Sequence, residues 1–409
     1  MCLRGLSPAF RSAVDAARDR PAFALFLAAL VALPFRWLSP LGPLYERAGW
    51  TDVFLAGAAM LWGLERMRAW QAGHGPRLRA WHVALGLFLV LGLLSAVFSA
   101  DRRNGMLNVV LMTELATAAI LSADFGSSSR NRSAIALVVM GGALVTAALA
   151  AVSLALFYLD VRTGLIADYG ELVASDLYAR VKAGFYKPPL LASYCIFASA
   201  VIAMTGNGLP RTWRRITQLA LAATVVVTFS RAVIGFLAAL TIRAAAARRS
   251  RAWRMGATLA VAIAVALMAG LTLGTLELDP THPTETRYRF SDEGVRYREL
   301  TTSLSTASDH PFLGIGPGEL PGNDLGRPVR AHYTPANIAG TVGYPALAAL
   351  IVAIALIWMR RPRPTEVAIW SGVLGLIIDG IGQDIDHFRH VWILIGLAAA
   401  RAPDDDDPG

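Results

Sequence analysis

Long apolar stretches recur from one end of this chain to the other, and few folds can accommodate them. About twenty apolar residues wound as a helix cross roughly 30 Å of hydrocarbon. Twelve segments of this kind can be read, with approximate ends: 22–37, 51–64, 82–99, 106–122, 133–158, 188–206, 215–229, 232–243, 255–275, 336–358, 365–382 and 388–401. The second and eighth are short for a straight crossing, which implies tilt, burial within the bundle or helices that run past these ends. With 55% hydrophobic residues and a mean hydropathy of +0.49 over 409 residues, the chain is too apolar for an ordinary soluble enzyme. The expectation is an all-α, polytopic integral membrane protein: one membrane domain of about twelve transmembrane helices, in contact with membrane lipids.

A net charge of +9 would suit a nucleic-acid partner, but the arginines sit in short loops between apolar blocks. Arg4, Arg11, Arg18 and Arg20 precede the first span; Arg66, Arg68, Arg77 and Arg79 follow the second. Arg130 and Arg132, then Arg211, Arg214 and Arg215, the cluster Arg243 to Arg254, and Arg360 to Arg363 fill alternate loops after those. Short basic loops mark the cytoplasmic face, so both termini are assigned there and no nucleic-acid partner is expected. Trp50, Trp81, Trp213, Trp253 and Trp358 lie near span ends, where an interfacial belt would place them. Two cysteines, Cys2 and Cys195, make no disulfide framework and have no metal-site spacing. The acidic tail at 402–409 reads as solvated.

Two long loops, about 159–187 and 276–335, face the other side and carry the polar chemistry. The first holds Arg180, Lys182 and Lys187; the second holds Arg287, Arg289, Arg296 and Arg298 among Tyr288, Phe290 and Tyr297. Long translocated loops escape the positive-inside rule, and an anionic ligand is a reason for basic residues to collect there. A helix is predicted over about 291–308, with Ser291 able to cap its start and His310-Pro311 to stop it. It forms a helical cap over the bundle. Gly314, Gly316, Pro317 and Gly318 then make a compact turn that is no dinucleotide fingerprint, because no strand precedes it.

Arg231, in Thr228-Phe229-Ser230-Arg231, interrupts apolar sequence between two close spans. A guanidinium near hydrocarbon costs a few kcal/mol or more unless it meets water or a partner, so it is either functional or snorkelling. His332 stands just ahead of an apolar helix, as an interfacial histidine or as a general base. Arg180 and Lys187 flank Gly184 ahead of Pro188-Pro189, where a guanidinium fork would fit two phosphate oxygens. For Arg296, a surface salt bridge to Glu293 or Glu299 is the plain alternative. Asp384-Ile385-Asp386-His387 has an Asp-x-Asp pattern, too short a match to imply a metal. No Ser-His-Asp set, zinc spacing or cofactor loop is present, so neither metal nor cofactor is expected.

From Asp292 to Gly343 the chain resembles the bacterial O-antigen ligase and polymerase superfamily. The resemblance is carried by an Arg-bearing helix, the turn His310-Pro311-Phe312-Leu313-Gly314-Ile315-Gly316-Pro317-Gly318, and His332 at the head of the next membrane helix. Tyr333 stands where relatives commonly have Asn after this His, and Pro189 stands where they have Asn after Pro. The resemblance implies an inner-membrane glycosyltransferase with its active site facing the periplasm. As a ligase it would move O-antigen from undecaprenyl pyrophosphate to a sugar hydroxyl of lipid A–core. It also implies His332 as catalytic base and Arg180, Arg231, Arg296, Arg289 and Lys187 as pyrophosphate ligands. A polymerase with a lipid-linked repeat as acceptor is the alternative; a transporter of lipid-linked glycans is the rival of another class.

Overall fold

The computed structural model describes residues 8–35, 49–75, 78–161, 170–173, 178–185, 187–205, 209–248, 251–272, 293–318, 320, 332–359 and 366–400. In chain order these form α1 (Pro8–Asp19), α2 (Pro21–Ala32), α3 (Trp50–Gln71), α4 (Ala80–Phe98), α5 (Arg102–Phe125) and α6 (Ser129–Tyr158). Then come β1 (Gly170–Val173), β2 (Tyr178–Val181), α7 (Pro188–Met204), α8 (Arg211–Val227), α9 (Ala232–Arg248) and α10 (Arg251–Thr272). The last are α11 (Glu293–Asp309), α12 (Thr334–Val342), α13 (Tyr344–Trp358), α14 (Val367–Gly382) and α15 (Arg389–Ala399).

The helices are apolar on their outer as well as their inner faces. On α4, Val83, Leu87, Val90, Leu94 and Val97 form an exposed stripe at helical spacing while Leu85, Phe88 and Ala96 are buried. Such a stripe would be a large exposed apolar patch in water and is ordinary in contact with lipid. Three helices, α4, α5 and α6, are long and apolar enough to cross a membrane by length and composition, and seven shorter apolar helices accompany them among the described residues. Twelve separate crossings are therefore more than the described helices establish.

Where helices cross closely, glycine makes it possible. A Cβ on Gly235 of α9 would lie 2.3 Å from the carbonyl oxygen of Gly375 on α14. Small residues at a crossing let two backbones approach, which is the main source of packing between helices in lipid.

The described residues are mainly helical, consistent with an all-α membrane fold, and a short antiparallel ribbon of β1 and β2, Glu171 opposite Arg180, lies inside the first long loop. Two expectations need correction. The predicted span 336–358 is two helices, α12 and α13, broken at Gly343 with φ +96. Pro345 could not continue the ladder, and a Cβ on Gly343 would lie 2.3 Å from the Phe312 carbonyl oxygen. Trp81 is 2% exposed and stacks against His82, so it is a core residue rather than part of an interfacial belt. A further helix, α1, precedes α2. The cap helix is present as α11, ending at Asp309 beside Pro311; Ser291, Arg287, Arg289 and the acidic tail lie outside the described residues.

Candidate active site at one end of the bundle

The helix break and the glycine turn are one construction. Breaking a helix frees main-chain groups that lipid cannot satisfy, so such a break must be sealed by protein. The turn seals it: the Ile315 amide donates to the Gly340 carbonyl at 3.2 Å, Gly316 to Thr341 at 2.9 Å, and Tyr344 to Pro311 at 2.9 Å. Ser95 of α4 donates to both Leu313 and Thr341 carbonyls. Gly314 and Gly316 hold positive φ and leave no room for side chains, with Thr341 and Ser99 against them. The motif read in the sequence is thus the clamp that fixes α12.

His332 lies two residues before α12, and α12 is anchored at that end. The Thr334 hydroxyl donates to the Gln383 carbonyl at 2.9 Å and accepts from the Ile385 amide at 2.9 Å. His332 Nδ1 is 2.6 Å from Glu299 Oε2 on α11. The Glu299 side chain is 8% exposed and that of His332 is 41% exposed, so the carboxylate is inside and the ring faces out. A carboxylate takes a donor, so Nδ1 carries the proton and Nε2 is left with the lone pair. This is the arrangement of an oriented general base. Glu299 therefore meets the histidine; the Arg296 side chain, for which a salt bridge to Glu293 or Glu299 is the plain alternative, lies outside the described residues.

Arg231 follows the turn between α8 and α9, where Phe229 adopts φ +46, a left-handed conformation costly for an aromatic residue. The turn buries the Arg231 side chain, and Arg180 Nε donates to the Thr228 carbonyl at 3.3 Å. The ribbon thus brings Arg180 to the Arg231 turn, two of the five expected phosphate ligands together. Lys187 is exposed at the start of α7, and Arg289 is outside the described residues. Arg231 opens α9, which lies against α14, and α14 ends at the Gln383 that anchors Thr334.

The 383–388 loop completes this end. Asp384, Asp386 and His387 place ligand atoms within 4.8 Å of one another, and they are the described group that could hold a metal ion. Burial, then the neighbouring Asp386, raises the Asp384 carboxyl above its ordinary range. His387 Nδ1 lies 3.2 Å from Asp386 and 3.5 Å from Asp384. Beyond it, buried Arg389 pairs with Asp52 at 2.7 Å and lies 3.6 Å from Glu114. Sequence reading did not find Arg389, Asp52 or the role of Glu299. The one available signal was charge inside or beside apolar blocks, which nominates a residue without naming its partner.

Comparison with curated proteins gives no match. Residues 216–351, about a third of the chain, match the family described as O-antigen ligase. The match takes in the Arg231 turn, α11 with Glu299, the glycine clamp and His332, whereas Arg180 and the 383–388 loop lie outside it. That stretch supports a place for the chain in the O-antigen ligase and polymerase superfamily, without distinguishing ligase from polymerase.

Proposed function

We propose that this protein is an O-antigen ligase of the inner membrane, with the site facing the periplasm and both termini in the cytoplasm. It takes O-antigen on undecaprenyl pyrophosphate as donor and a sugar hydroxyl of lipid A–core as acceptor. The observation that carries this reading is the 2.6 Å contact between His332 and Glu299 at the head of a clamped helix. Nε2 of His332 removes the proton from the acceptor hydroxyl as its oxygen attacks the anomeric carbon. The bond from that carbon to the pyrophosphate oxygen breaks from the opposite face, which inverts the anomeric centre and releases undecaprenyl pyrophosphate. Arg180 and Arg231, with Arg289, Arg296 and Lys187, hold the pyrophosphate and offset its growing charge. A pyrophosphate held by several cations is a good leaving group, so the reaction is proposed to need no metal and no general acid.

Incubating purified protein with lipid-linked O-antigen, with and without lipid A–core, tests the reading. Product formed only with lipid A–core supports ligation, and longer lipid-linked chains formed without it establish a polymerase instead. Activity that disappears on exhaustive chelation and returns with Mg²⁺ would refute the metal-free mechanism and turn attention to Asp384 and Asp386. Orientation is checked with an impermeant thiol reagent on intact spheroplasts. A cysteine at position 308 should label and one at 250 should not.

A further inference from the structure

Along α12, the helix that His332 precedes, a recess lies between α5, α12, the glycine clamp and the 383–388 loop. Its polar lining includes Asn108, Asn337, Asp386 and His387, and its apolar lining includes Phe88 and Trp392. We propose that this recess is the acceptor subsite, which binds the hydroxyl groups of the glycan that receives the transferred chain. The proposal rests on the glycosyl-transfer reading above and assigns a place to the half of the reaction which that reading leaves without one.

Asn337 is the strongest reason. Its side chain is 3% exposed, and its Nδ2 donates to Asp386 Oδ2 at 3.2 Å. The carboxylate demands a donor, which fixes the amide and turns Oδ1 the other way. That oxygen is buried and makes no hydrogen bond. A buried acceptor without a donor is costly and calls for a partner, and a ligand hydroxyl would supply one. His387 adds a second polar atom by the same logic. Its Nδ1 faces the Asp386 and Asp384 carboxylates, so Nε2 is left to accept.

The charge of the recess decides which substrate it takes. No lysine or arginine is among its described lining residues, and Asp386 is. A carboxylate repels a pyrophosphate and accepts from neutral hydroxyls, so the donor's phosphates belong at the arginines and a sugar belongs here. The aromatic wall agrees. The Trp392 indole donates to the Asp386 carbonyl at 2.6 Å, which fixes its ring, and Phe88 lies beside it with centroids 6.2 Å apart. A pyranose offers an apolar C–H face to such rings and hydroxyls to the amides around them. His332 stands two residues ahead of α12 and Asn337 lies in its first turn, so a sugar seated on Asn337 lies at the same end of α12 as the base.

The test measures equilibrium binding to the purified full-length protein in detergent, with no turnover required. Three probes are used separately: radiolabelled lipid A–core, a lipid-linked repeat, and undecaprenyl pyrophosphate. Asn337→Leu should weaken binding of the glycan acceptor about tenfold or more, as expected for loss of a buried hydrogen bond. His387→Gln should weaken it less, and undecaprenyl pyrophosphate should bind both variants as it binds the wild type. If Asn337→Leu does not elute as a folded protein, His387→Gln and Asn108→Ala carry the decision. Acceptor binding unchanged in the folded variants overturns the subsite and leaves the transfer reading standing. A wild-type protein that binds neither glycolipid overturns both. Loss of undecaprenyl pyrophosphate binding with Asn337→Leu makes the recess a donor site and also refutes the proposal.

Discussion

The two ends of the helix bundle use the same charged residue types to different effect. At the basic end, Arg20 pairs with Glu65 at 2.9 Å and reaches Asp124 at 3.4 Å, and Arg66 also pairs with Asp124. Arg79 and Arg132 donate to the Ala399 and Ala400 carbonyls at the close of α15. Each of these carboxylates is held by a guanidinium, whose charge is permanent, and the helix C-terminus by cations that suit its dipole. At the other end, the carboxylates of Glu299, Asp384 and Asp386 face the imidazoles of His332 and His387. A neutral imidazole carries a lone pair beside its N–H, so these pairs can accept a proton where an arginine pair cannot. Arg389 with Asp52 is the exception at that end, and its depth gives it a structural role.

The contrast is broken or sharpened by five substitutions, taken from the largest expected effect. His332→Ala should lower turnover by about 10²–10⁴, the usual contribution of a general base, while undecaprenyl pyrophosphate still binds. Poor binding of that lipid with normal saturated turnover would make His332 a donor ligand. Asp52→Asn leaves buried Arg389 without its nearest charge and should lower stability by about 3 kcal/mol, read as thermal melting in detergent. An unchanged melt would mean that water or Glu114 compensates the guanidinium.

Glu299→Gln comes next, with a loss of about tenfold in turnover, little change in donor affinity, and partial recovery in Glu299→Asp. Because Glu299 acts through the ring, the substitution should cost nothing further in a His332→Ala background, and an additive loss would show an independent role. Asp384→Asn tests the raised carboxyl. A group whose folded pKa is raised favours the fold below its unfolded value, about 3.9, and loses that contribution as pH rises through the folded value. The variant should therefore gain stability over the wild type as pH rises from about 4 towards neutrality. An identical pH dependence of melting in both proteins would contradict this. The smallest effect belongs to Asp19→Asn at the basic end, whose exposed pair with Arg130 at 3.2 Å should contribute roughly 0.2–1 kcal/mol. A loss as large as that of Asp52→Asn would erase the distinction between surface and buried pairs.

By itself the sequence determined what short-range physics determines. Apolar runs of sufficient length become helices in lipid, because only a helix satisfies its own main chain there; most helix positions outside the polar cap helix α11 follow from that, though not the division of 336–358 into α12 and α13. Pro311 ends α11 because it cannot extend the ladder, and Arg231 stood out because charge rarely interrupts apolar sequence without cause. His332 was legible only with the glycine turn ahead of it, through the likeness to one superfamily. The tertiary structure alone decided which residues meet. Glu299 reaches His332 across 33 positions and Arg389 reaches Asp52 across 337, and no local rule couples residues so far apart. The break at Gly343 has a local cause in Pro345, which cannot extend the ladder. What seals it is tertiary: the clamp sets Phe312 and Gly314 against the main chain of Gly343 and Thr341, a contact that exists only once the bundle has packed.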